Sequence, residues 1–351
     1  MKRFALCSVL AACGPNYQVS ELPWNTHALA LGFDHTLVIT EVDGAIDAGT
    51  VESNGPDVPL PEDPNTQKPI TLELPTALAV AVGGNHACIV SSTQVTCWGT
   101  NTKGEIGAHR ACMGEDCVLA PDVMPTLPAV RAVVAGSFVS CAQTMDDTVM
   151  CWGSNEHGEL GGSEVSALDP PRPIMLPDGK PLYVDRLIAN DSTVCAIDRT
   201  KSAWCWGEGF GAAPQRLPYS GVADIAANGD HACVIASDGL TCWGDNINGQ
   251  IDAPSARQCQ QGAACALPPT PVAIAGAQRV VVGERHTCVL DASGDVTCFG
   301  SNEHGQLARS DAFLVGAPGV VLSGAVDLAA GATHNCALDT DHHAQCWGDQ
   351  W

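Results

Sequence analysis

The sequence predicts an all-β fold, and three observations carry that prediction. A two-cysteine segment recurs along the chain, its internal spacing is nearly fixed while the connections vary, and no long stretch sustains a helical period. Six full copies align on their first cysteine: Cys88 with Cys97, Cys141 with Cys151, Cys195 with Cys205, Cys233 with Cys242, Cys288 with Cys298, and Cys336 with Cys346. Each second cysteine precedes an aromatic residue and a glycine, from Trp98-Gly99 to Trp347-Gly348, with Phe299-Gly300 the one phenylalanine. An Asn-rich loop ending in glycine and an aliphatic follows, as in SNEHGEL at 154–160 and SNEHGQL at 301–307. A seventh, eroded copy at 31–49 opens the series, with Leu37 where the others place cysteine.

From two residues before the first cysteine to the aromatic, the interval is 12 or 13 in all six full copies. From that aromatic to the next copy it is 41, 41, 25, 43 and 35. Strand pairs do not tolerate insertions and loops do, so the fixed segment reads as a hairpin and the variable one as a connection. The hairpins are rich in Val, Ile, Thr, Cys and Trp and are split by turn residues. In LDASGDVTC, at 290–298, Ala292, Ser293 and Gly294 fit a three-residue loop whose last residue is left-handed.

Residues nine or ten apart in a hairpin face each other, with Cβ atoms close enough for a disulfide in a non-hydrogen-bonded pair. Six hairpin disulfides are therefore expected, with a bulge or a different turn absorbing the one-residue difference between copies. Zinc is the alternative, but two ligands per hairpin leave a tetrahedral site half filled. Cys112 with Cys117 and Cys259 with Cys265 form local pairs inside variable connections, and are expected to be bridged too.

The chain has 18 cysteines, of which these eight pairs use 16; Cys7 and Cys13 remain. Lys2 and Arg3 precede an apolar run, and Leu10-Ala11-Ala12-Cys13 resembles a bacterial lipoprotein signal. That resemblance implies a signal peptide at 1–12, removed together with Cys7, then lipidation at Cys13 and a tether over 13–21. Export agrees with a disulfide-dense chain. The expected location is a membrane-anchored lipoprotein, periplasmic or on the cell surface, touching the membrane only through its lipid.

Thirty-nine acidic residues against 16 basic ones give a formal net charge of −23. Such a surface repels phosphate backbones, which argues against nucleic-acid binding and for basic or cationic partners. A hydrophobic content of 45% suffices for a core, and 36 Gly and 23 Pro fit many turns. The proline-rich stretch 55–69 reads as a surface connection within the first copy, and the even spread of copies argues for one closed body.

HACIV, a turn, VTCWG and an N-x-x-G-x-[IL]-G loop together resemble the RCC1 (regulator of chromosome condensation) repeat, in its exported, cysteine-rich bacterial branch. The resemblance covers residues 22–351 and implies a seven-bladed β-propeller with four-stranded blades. The last copy stops at CWGDQW, 346–351, while 21–39 has strands but no preceding Trp-Gly. Pairing the N-terminal strands with the C-terminal strand would complete one blade, close the ring and leave no open edge.

Histidine recurs two residues before the first cysteine position, at His35, His86, His231, His286 and His334. Val139 and Thr193 occupy that slot elsewhere, and repeat equivalence puts the histidines in separate blades. They read as structural groups hydrogen-bonding a neighbouring loop, and the tryptophans as packing between blades. Glu156, Glu159 and Glu303 read as solvated loop charge. DNINGQID at 245–252 mimics a calcium loop only loosely, since Ile247 stands at a ligand position. No catalytic residue, metal or cofactor is expected, and the chain is not expected to be an enzyme.

The expectation is a monomeric, non-catalytic binding or scaffold propeller that recognises a protein or glycan through loops on one face. The resemblance implies two alternatives: an inhibitor of an exported enzyme, or guanine-nucleotide exchange as in eukaryotic relatives. The two cysteine loops, 110–120 and 257–267, follow equivalent Gly-Glu/Gln-Ile elements and are expected to frame the binding face.

Overall fold

The computed structural model describes residues 78–107, 118–124, 127–162, 171–252, 267–309 and 315–348, together with the strands Ser20–Glu21, Thr26–Leu31, Thr36–Val42 and Ala45–Asp47. Every described element is a β-strand. Six four-stranded antiparallel sheets are arranged as propeller blades. In the first, Ala79–Val82, His86–Ser91, Gln94–Thr100 and Val118–Val123 run in order from the centre outward. The order repeats in blades 130–173, 184–216, 224–272 and 277–322.

The sixth blade joins Ala325–Ala330, His334–Asp339 and Ala344–Gly348 to an outer strand from the other end of the chain, Ser20–Glu21. Ser20 faces Cys346 and Glu21 faces Gln345, so the ring is closed as expected between the chain ends. The strand that closes it was assigned by sequence to the tether 13–21, and that boundary moves. The strands Thr26–Leu31 and Thr36–Val42 belong to another sheet and do not join this blade.

Seven four-stranded blades were expected, and among the described residues six are found. The first copy forms a three-stranded sheet of Thr26–Leu31, Thr36–Val42 and Ala45–Asp47. Thr26–Leu31 packs against Ala79–Val82 on one side and Ala325–Ala330 on the other, so the circle of inner strands closes through this smaller sheet.

All six hairpin disulfides form, each between directly facing residues with Cα atoms 4.0–4.1 Å apart. The turn, rather than a bulge, absorbs the difference between nine- and ten-residue spacing. Ser91 faces Gln94 and Ala236 faces Gly239, leaving two-residue turns. In the ten-residue copies the loop has three residues, closed by bonds such as Asp291 N–H to the Asp295 carbonyl at 3.0 Å. The last loop residue is left-handed in each: Asp147, Lys201, Gly294 and His342, with φ of 67°, 59°, 85° and 63°. Cysteine register is therefore identical in all six blades.

The core lies between blades rather than within them, because each blade is one sheet thick and buries its faces on its neighbours. One cluster joins Val139, Val149 and Leu182 to Leu187 and Trp206 of the next blade. Another joins Cys88, Val95 and Ile106 to Val133 and Trp152. Cystines pack in these clusters as buried apolar groups.

Candidate functional site

The Asn-rich loops are folded by their own first residue. The Asn101 Oδ1 atom accepts the Ile106 N–H at 3.1 Å, and Asn155, Asn246 and Asn302 do the same for Leu160, Ile251 and Leu307 at 2.9, 3.1 and 2.8 Å. In 245–252 Asn246 is thus engaged within the loop, and Asp245 accepts from Gln250 Nε2 at 3.0 Å. Among the described residues, no group of three or more His, Cys, Asp or Glu is placed to hold a metal ion.

The histidines join blades. His86 Nε2 lies 2.7 Å from Ser140 Oγ, His231 Nε2 lies 3.1 Å from Thr287 Oγ1, and His286 Nε2 lies 2.8 Å from Asn335 Oδ1. Each partner sits on the next blade, immediately before its first cysteine. Those partners donate onward to a loop carbonyl of the histidine's own blade: Ser140 to Glu105 at 3.0 Å, Thr287 to Gln250 at 2.7 Å, Asn335 to Gln306 at 3.0 Å. Ser140 and Thr287 spend their hydroxyl protons on carbonyls and Asn335 presents Oδ1, so each accepts from a ring hydrogen on Nε2. Burial holds these imidazoles well below their ordinary range, at about 4 for His86 and His286 and about 3 for His231. His86, His231 and His286 are structural, as expected, but their immediate partner is a strand side chain rather than a loop.

The same carbonyls receive the tryptophans. Trp152 Nε1 donates to Glu105 and Trp347 Nε1 to Gln306, both at 2.8 Å, and Trp206 donates to Glu159 at 2.8 Å. These tryptophans pack between blades and are held there by a hydrogen bond. Trp243 departs from the pattern and stacks on Tyr219, with ring centroids 5.8 Å apart.

Inner strands surround a central cavity of about 200 Å³. Its walls are small and apolar, with Val82, Ala135, Ile188, Ala226, Val281 and Ala330 among them. At the start of four consecutive inner strands the charges alternate: Arg186, Asp224, Arg279 and Asp327. Arg186 Nη1 lies 2.7 Å from the fully buried Asp224, and Arg279 pairs with Asp327. Asp224 also accepts the N–H groups of Ile225 at 2.8 Å and Val280 at 3.0 Å, the second on the next blade. Burial raises its carboxyl pKa, which Arg186 partly opposes. This network ties four blades together; nothing in the spacing of the cysteine copies signalled it.

At the other end, the turns between first and second strands form the cavity mouth. Asp191, Asp230 and Glu284 stand there on three consecutive blades, and Gly84, Ser137 and Ala332 on the others. Because strands alternate in direction, the connections between third and fourth strands leave from this same face. The insertions holding Cys112 with Cys117 and Cys259 with Cys265 are two such connections, and these four cysteines, like Cys7, Cys13 and His35, lie outside the described residues. Of the acidic loop residues, Glu156 pairs with Lys103, Glu159 is buried and accepts the His157 N–H at 2.9 Å, and Glu303 borders a second cavity with Glu284, Arg285 and Thr333. Glu159 is therefore not solvated charge, as sequence reading had it.

The family profile described as "Regulator of chromosome condensation (RCC1) repeat" matches 130–159, 222–250, 278–306 and 325–350. This chain carries RCC1 repeats. RCC1-type relatives include the human probable E3 ubiquitin-protein ligase HERC6, 29% identical over 254 residues, covering 66% of this chain and 24% of that protein. The ultraviolet-B receptor UVR8 of Arabidopsis thaliana is 25% identical over 262 residues, covering 67% of this chain and 55% of its own length. The chain thus spans between a quarter and about half of these relatives. Among solved structures, human WBSCR16 superposes with a TM-score of 0.65 at 18% identity, covering 82% of this chain and 83% of that one. Yeast RCC1 (Prp20), solved bound to Kap60, gives 0.63 at 21% identity over 78% and 70% of the two chains. At these identities the structures establish the fold: an RCC1-type all-β propeller.

Proposed function

We propose that this chain is a non-catalytic binding propeller of the bacterial cell envelope, which recognises a protein through the face carrying the cavity mouth. What supports this reading most is that three carboxylates, Asp191, Asp230 and Glu284, stand on the face from which the connections between third and fourth strands leave. A bridge inside a surface loop adds little to a core built between blades, but it lowers the entropy lost when the loop binds. Six buried disulfides fit an oxidising compartment. In the same reading 1–12 is a signal, Cys13 carries lipid, and the domain begins near Ser20. Inhibition of an exported enzyme is the narrower version of this function. Nucleotide exchange is disfavoured by the cystines, although one curated relative is the Bos taurus secretion-regulating guanine nucleotide exchange factor.

The test is partner capture from a solubilised envelope fraction, comparing the native chain with one in which 110–117 and 257–266, which stop short of the outer strands, are replaced by short Gly-Ser turns. Loss of a stoichiometric partner with an unchanged thermal transition supports the reading, and a single enzyme as that partner selects inhibition. Undiminished capture removes the loops from the site, and capture of glycan instead of protein corrects the partner class.

A further inference from the structure

The central cavity is too small for an ordinary small-molecule ligand. At about 200 Å³ it falls below the ~300–1,000 Å³ of such sites and holds roughly six waters at ~30 Å³ each. A single long side chain fits that space better. The two ends of the cavity differ in charge. Inside, each arginine already faces an aspartate, Arg186 with Asp224 and Arg279 with Asp327, so this end presents no free charge. At the mouth, among the described residues, Arg285 is the cation beside Asp191, Asp230 and Glu284, 3.3 Å from Glu284. Partial burial, then Asp245 and Asp191, push the Asp230 carboxyl above its ordinary range, with Arg285 opposing.

The mouth is also lopsided. The carboxylates occupy one arc, held in place where Asn190 Nδ2 reaches the Val282 carbonyl at 2.7 Å and Asn228 Nδ2 the Gly283 carbonyl at 2.6 Å. Among the described residues, Gly84, Gly136, Ser137, Gly331 and Ala332 form the opposite arc. Small residues there leave room for a backbone to pass over the rim. A Cβ on Gly136 would meet the Asp191 carbonyl oxygen at 2.1 Å, and one on Gly84 the Ser137 oxygen at 2.7 Å, so neighbouring turns already touch and this arc stays low.

We propose that the cavity receives one cationic side chain, an arginine or lysine presented by a loop of the protein partner. The loop crosses the small arc, the cation meets the carboxylates of Asp191, Asp230 and Glu284, and its methylenes lie against the alanine and valine walls. This rests on the docking face proposed above and specifies what the partner must present there.

Alanine-methyl NMR at low salt tests it with a Gly-Gly-Arg-Gly-Gly peptide as probe, since Ala135, Ala189, Ala226 and Ala330 line the cavity. Saturable shifts of these methyls are expected with the arginine peptide, and none with its citrulline counterpart, which has the same shape without the charge. Asp191→Asn, Asp230→Asn and Glu284→Gln together should weaken binding at least fivefold. Asp146→Asn, Asp238→Asn and Asp341→Asn, which remove as much charge from hairpin turns on the opposite face, should weaken it less than twofold. Unmoved alanine methyls, equal binding of citrulline, or equal losses in the two triple variants would overturn the proposal; the first two need no variant to fold. If the native chain captures its partner with the Asp191, Asp230 and Glu284 substitutions in place, this inference falls while the docking reading stands.

Discussion

Replacing Asn335 by alanine should destabilise the chain by about 2–4 kcal/mol, because Asn335 is the middle of a buried relay between blades. Its side chain is fully buried, accepts from His286 Nε2 at 2.8 Å and donates to the Gln306 carbonyl at 3.0 Å. Alanine leaves the histidine N–H buried without an acceptor, at about 1–3 kcal/mol, and deletes a second bond of about 1 kcal/mol. The Gln306 carbonyl is not orphaned, because Trp347 Nε1 still donates to it at 2.8 Å. Asn335→Ser is the informative companion. Ser140 performs both roles at the interface of the first two blades, at 2.7 Å to His86 and 3.0 Å to Glu105, so serine should cost under about 1 kcal/mol. Equilibrium urea unfolding of oxidised protein near pH 7.5 measures both. Alanine and serine variants of equal stability would show that the site matters for burial alone and that the relay contributes nothing.

The same histidines predict an acid response. Unfolded histidine takes its proton near 6.5, whereas His86 and His286 wait until about 4 and His231 until about 3, so between these values the unfolded chain binds more protons. Stability should be level above pH 6.5 and fall as pH drops toward 5; a flat profile over that window would contradict neutral, buried rings. Gly283→Ala should cost about 1–3 kcal/mol by overpacking, since its Cβ would stand 2.0 Å from His286 Cε1 while the ring is pinned through Nε2, and a thermal melt matching the native one would mean the ring can move. Reduction should add twelve hydrogens for the six hairpin bridges, and four more if Cys112–Cys117 and Cys259–Cys265 are also closed; intact mass before and after reductant distinguishes the two. Cys13→Ser should move the protein from the membrane to the soluble exported fraction, because a lipid is the only membrane contact in the proposed function, and unchanged membrane association would remove the anchor.

Hairpins, cystine pairing, the all-β class and closure between the chain ends were legible in the sequence, because each depends on spacing within a copy or on what a copy lacks. Two-residue periodicity and a fixed interval suffice to place Cys288 opposite Cys298. Whether a ten-residue interval is absorbed by a bulge or a turn was not legible, since both preserve the count; the left-handed residue at Asp147, Lys201, Gly294 and His342 decides it. The full blade count failed at the first copy, where an eroded segment kept the hairpin words but only a three-residue third strand. The relay through Ser140, Thr287 and Asn335 was hidden for a different reason. Its members lie 49 to 56 residues from their histidines and differ in chemistry, sharing only a position before a cysteine on the next blade. Likewise Arg186, Asp224, Arg279 and Asp327 are unremarkable one at a time, and become a network only when ring closure brings consecutive inner strands side by side. Sequence spacing governs what happens inside a blade; contacts between blades are set by the ring, and only the tertiary structure specifies them.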